Sequence, residues 1–189
     1  LLKQITEQIP TESVIFDVST DRGIRSGNQS ITEIMYKLFL KNLGYAEDLD
    51  IAELEISLEE AGELERFKVA YEAKHRQSWD AGKNKISFAL VKASVVMHQL
   101  DPSTYTTPDS WVQAAKDKAD ITPGKLAERC RDLMQRRRES RNLVFVVDEI
   151  GQFVSRDVQK MLDLQGVVQN LGRISRGKSW LVVTSQEKL

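Results

Sequence analysis

"NLVFVVDEIGQF" occupies residues 142–153. Leu143 to Val147 form an unbroken apolar run that ends on two adjacent carboxylates, Asp148 and Glu149. A short apolar run rich in Val reads as a buried strand. Its lack of alternation predicts cover on both faces, as in a parallel sheet. A strand of that kind is a rigid rod, and here it delivers two acids to one edge of the sheet.

Working outward, "SVIFDV" (13–18) and "LVVTSQE" (181–187) have the same form: an apolar, β-branched run that closes on polar residues. A helix is expected over about 157–172, with Val158, Met161, Leu162, Val168 and Leu171 facing inward. Upstream, residues 1–9 read as a helix tail and residues 19–28, rich in Gly, Ser and Asn, as a loop. Ser30 and Glu33 form a Ser-x-x-Glu capping box ahead of Ile31, Ile34, Met35, Leu38 and Phe39 at helical spacing, and Gly44 is a natural stop.

The stretch 45–140 carries helix signals and no strand signal. Ser57 and Glu60 make a second capping box before a stripe of Leu58, Ala61, Leu64, Phe67 and Tyr71. "ISFALVKASVVMHQL" (86–100) reads as a more apolar helix. Thr107-Pro108 and Thr122-Pro123 each read as an N-cap followed by proline at the first helical position. The expected organisation is a sheet-bearing core over 1–44 and 141–189, interrupted by a helical insert over 45–140. Apolar strands separated by helices give an α/β fold with a parallel sheet.

Composition narrows the function. The chain has 189 residues, 41% hydrophobic and 29% charged, with a formal net charge of −1. It is globular in composition and has no global basic field for nucleic acid. Its apolar runs are far too short to span a membrane. The single cysteine, Cys130, excludes an internal disulfide and fits a reducing cytoplasm. His75 and His98 share no metal-ligand spacing. Charge is nonetheless segregated. Nine acids and no Lys or Arg lie between Glu47 and Glu65, and six Arg lie between Arg129 and Arg141. Both read as solvated helix surface, with Arg136, Arg137 and Arg138 near a helix C-terminus where cations complement the dipole. A partner or DNA contact is the sharper alternative for these charge runs. The absence of an initiator Met and of a secretion signal reads as an internal segment of something larger.

Ligands of open parallel sheets sit beyond the carboxyl ends of the strands. Those ends carry Asp17, Asp148-Glu149 and Thr184-Ser185-Gln186. In nucleoside-triphosphate hydrolysis one carboxylate holds Mg²⁺, and a second orients or deprotonates the attacking water. Five apolar residues followed by Asp-Glu is the Walker B pattern. A polar residue ending the next strand stands where sensor 1 belongs, and Thr184, Ser185 and Gln186 are the candidates. The alternative is a strand-end acid pair that merely caps the next helix. The phosphate cradle G-x-x-x-x-G-K-[ST] is missing in its proper context. "GRISRGKS" (172–179) matches it formally, but it follows a helix and opens a strand, the reverse of a cradle.

"NLVFVVDEIGQF", "MLDLQGVVQNLG" (161–172) and "RGKSWLVVTSQE" (176–187) together resemble the P-loop ATPases of the BREX phage-exclusion systems, the BrxC/PglY-like family. "SVIFDVST" (13–20) and "FKVAYEA" with "SWDAGK" (67–73, 78–83) look like the segment between that family's cradle and its Walker B strand. The resemblance implies a cytoplasmic, AAA+-like ATPase that uses ATP and Mg²⁺ and works with other defence proteins, including a DNA methyltransferase. It leaves DNA contact and a homo-oligomer open. It implies Asp148 as the Mg²⁺-associated acid, Glu149 as the catalytic acid and Thr184, Ser185 or Gln186 as the sensor. It also implies a partial P-loop NTPase sheet, with strands 2-3-4 of the order 5-1-4-3-2 and a helical insert between strands 2 and 3. The alternative function is a helical protein-interaction module on a degenerate scaffold that no longer hydrolyses.

Overall fold

The computed structural model describes residues 9–17, 29–115, 120–154 and 157–185. The helix tail expected over 1–9 and the loop over 19–28 lie almost entirely outside them, and Gln186 does as well. The described residues fall into two compact units. One combines those of Leu1–Leu43 and Ile121–Leu189, and the other is Gly44–Asp120.

The first unit is built on a parallel sheet of three strands, β1 (Thr11–Asp17), β2 (Asn142–Asp148) and β3 (Ser179–Val183). The order is β1-β2-β3, with the strand of the opening motif in the middle and parallel to both neighbours. Asp17 pairs with Asp148 and Val147 with Val183, so the three carboxyl ends are level.

The long helices of this unit are α1 (Ile31–Asn42), α7 (Pro123–Arg137) and α9 (Val158–Ser175). The Ser30 hydroxyl accepts from the Glu33 amide at 3.1 Å, as the capping box requires. The Glu33 carboxylate does not reach back to complete the box; it binds Lys37 and Gln29 instead. Thr122 caps α7, with Pro123 at its start. Leu126, Ala127, Cys130, Leu133 and Met134 form the buried stripe of α7. Burial pushes the Cys130 thiol pKa up, which keeps it in the unreactive protonated form.

The sheet's covered face is made by Val14, Phe16, Leu143, Phe145 and Val147, all buried. Phe39 of α1 meets Phe145 with ring centroids 6.2 Å apart. The opposite face differs from the expectation of double cover. Ile15 is 69% exposed, Trp180 60% and Val182 48%, while Val144 and Val146 are half-buried. The cause is topological. Both crossovers step the same way across the sheet, and right-handed crossovers in one direction place their helices on one face.

Helix α9 is also rotated from its expected orientation. Val158, Met161, Leu162 and Val168 are at least half exposed, whereas Val167 and Leu171 are buried. A polar contact competes with the apolar stripe: Asp163 accepts from the Thr32 amide at 3.0 Å and from its hydroxyl at 2.6 Å. A carboxylate at the first turn of α1 complements that helix's dipole and its orphan amide, and this locks the face of α9 that turns inward.

The second unit is helical: α2 (Leu49–Glu60), α3 (Leu64–His75), the short α4 (Trp79–Gly82), α5 (Ile86–Leu100) and α6 (Ser110–Ala115). The helix expected to start at Ser57 starts instead at Asp48, whose carboxylate accepts from the Ile51 amide at 3.1 Å. It stops before Gly62, which takes a left-handed φ of +72° that L side chains rarely adopt. Ser57 and Glu60 therefore end a helix rather than begin one. Glu55 is the hub of this unit. It accepts from Trp79 Nε1 at 2.8 Å, from Lys83 Nζ at 3.0 Å and from the Ala46 amide at 2.6 Å. The helical stretch expected over 45–140 is thus divided: α7 packs on α9 in the sheet unit.

Candidate active site

The level ends of the three strands bring Asp17, Asp148 and Thr184 side by side, because residues paired in a parallel ladder reach the edge together. The Thr184 amide donates to the Val147 carbonyl at 3.0 Å, extending the β2–β3 pairing one residue past the strand. Its carbonyl then accepts from the Ile150 amide at 3.2 Å. Thr184 is thereby fixed by its own backbone beside the acid pair.

Its side chain completes the arrangement. The Thr184 hydroxyl donates to Asp148 Oδ1. The Glu149 amide lies 3.0 Å from that same Oδ1 and 3.3 Å from the Thr184 oxygen. One carboxylate oxygen of Asp148 is therefore oriented by two donors, the kind of outer support that holds a metal-ligating carboxylate in place. Asp148 itself is exposed.

Glu149 has a left-handed backbone, φ +56°. For a residue with a Cβ this conformation costs on the order of 1–2 kcal/mol. It turns the chain sharply out of β2 and into the short helix α8 (Ile150–Val154), whose Ile150 is buried. Strain of this kind gathers at functional sites. Little in the sequence warns of it, since glycine is the usual marker of such a turn and none stands at 149.

Ser185 follows Thr184 and is half-buried, and Gln186 lies outside the described residues. Of the three sensor candidates, the structure brings Thr184 to the acids by a direct hydrogen bond. The formal cradle match over 172–179 starts in the last turns of α9, turns at Arg176 and Gly177 and ends in β3. It lies at the opposite edge of the sheet from Asp148. Among the described residues no group of three or more His, Cys, Asp or Glu is placed to hold a metal ion, and no helix is long and apolar enough to cross a membrane. No protein-family model matches the chain, and no solved structure matches it.

Proposed function

We propose that the chain is part of the ATP-hydrolysing core of a P-loop, AAA+-like ATPase of the BREX type, with Walker B and sensor 1 on this segment. The observation that carries the reading is the bond between the Thr184 hydroxyl and Asp148 at the carboxyl end of a central parallel strand. In this reading β1, β2 and β3 are the second, third and fourth strands of a 5-1-4-3-2 sheet.

Asp148 is the Mg²⁺-associated acid, and the metal, when bound, neutralises phosphate charge. A site with one protein carboxylate suits Mg²⁺, which keeps several waters and takes its other ligands from substrate phosphates. Thr184 and the Glu149 amide hold Asp148 Oδ1 in a fixed direction. Glu149 orients the attacking water and accepts its proton. The left-handed turn at Glu149 aims its side chain from a different backbone direction than that of Asp148, so the two acids divide the work. The partners of such a protein are other cytoplasmic defence proteins, a DNA methyltransferase among them.

The test is hydrolysis by the full-length protein carrying Glu149→Gln. Turnover is expected to fall ~10²–10⁴-fold while nucleotide binding persists. Parent-level turnover would overturn the assignment. A second reading, an interaction module on a scaffold that no longer hydrolyses, draws on Val69, Phe88 and Val91, which are 68%, 68% and 56% exposed on the helical unit. It requires that the parent protein show no turnover at all.

A further inference from the structure

We draw no further inference here: the strongest candidate, the apolar face that Ile15, Trp180 and Val182 leave exposed across the three-stranded sheet, carries nothing because nothing in the structure shows what covers it.

Discussion

Thr184 and Asp148, 36 residues apart, meet through a side-chain hydrogen bond at the ends of neighbouring parallel strands. The bond couples the orientation of a strand-end carboxylate to the strand beside it. Removing the hydroxyl leaves Asp148 Oδ1 with the Glu149 amide alone. On the proposed ATPase reading, Thr184→Val in the full-length protein should therefore raise the Mg²⁺ concentration needed for hydrolysis about 10- to 100-fold, and Thr184→Ser should restore it. A Mg²⁺ titration of turnover reads this directly. An unchanged requirement in the valine variant would remove Thr184 from the site.

Glu149 sits where glycine would be comfortable. Glu149→Gly should raise stability by about 1 kcal/mol. That figure is the steric penalty of a left-handed residue with a Cβ, less the extra freedom glycine gives the unfolded chain. Hydrolysis should be lost at the same time. Urea unfolding of the variant is the check, and a lowered midpoint would mean that contacts of the Glu149 side chain outweigh the backbone strain.

The parallel strands and the shared edge of their polar ends were legible because apolar runs that close on polar residues and are separated by helices encode them, whereas the strand order was given only by the family resemblance. The orientation of α9 was not legible. Its apolar residues are spread around the helix, and a single part-buried contact, Asp163 with Thr32, selects the face. The start of α2 was misplaced for a related reason. Ser57–Glu60 and Asp48 both offer capping chemistry, and Gly62 decides between them by ending the helix just beyond Ser57. At the site, the residue types were legible and the strain was not, since a positive φ at a glutamate leaves no mark in the sequence.

Glu55 and Lys83 form a buried ion pair at 3.0 Å, with side chains 3% and 9% exposed. Glu55→Ala would leave the Trp79 indole N–H and the Ala46 amide without their acceptor, while the Lys83 ammonium keeps Asp80 at 3.1 Å and the Gly44 carbonyl at 2.6 Å. Each buried donor left unpaired costs about 1–3 kcal/mol. By contrast, Arg66→Ala at the exposed Glu63–Arg66 pair should change stability by less than about 1 kcal/mol. Denaturant unfolding followed by tryptophan fluorescence compares them. Similar losses in both variants would refute the role given to Glu55.

His75 gives the helical unit a pH dependence. Burial lowers its pKa below the ordinary value, aided by Lys92 and Lys74 and opposed by the hydrogen bond from the imidazole to the Lys92 carbonyl. The folded state therefore binds fewer protons than the unfolded chain. The stability this contributes is present above the unfolded value of about 6.5 and is lost as pH falls through the lower folded value. His75→Gln should flatten the stability curve across that window. A slope that survives the substitution would assign it to the carboxylates.

The last expectation concerns the backbone of the sheet. The Asn142 amide donates to Pro10 and the Leu143 amide to Lys178, both at 2.8 Å. Successive amides of β2 thus point alternately to β1 and β3, and each meets a partner strand. β3 pairs on one side only among the described residues. The Thr184 amide donates to Val147, so by the strand's period of two the Val182 amide faces β2 as well, while those of Leu181 and Val183 face away. Hydrogen exchange should be slow throughout 143–147. In β3 it should alternate, slower at Val182 and Thr184 than at Leu181 and Val183. Such an edge, next to the exposed Trp180 and Val182, is also a template for another strand. Concentration-dependent protection of Leu181 and Val183 would therefore report association through β3. Uniform, concentration-independent protection along β3 would show that a further strand pairs there, and faster exchange in β2 than in β3 would contradict the strand order itself.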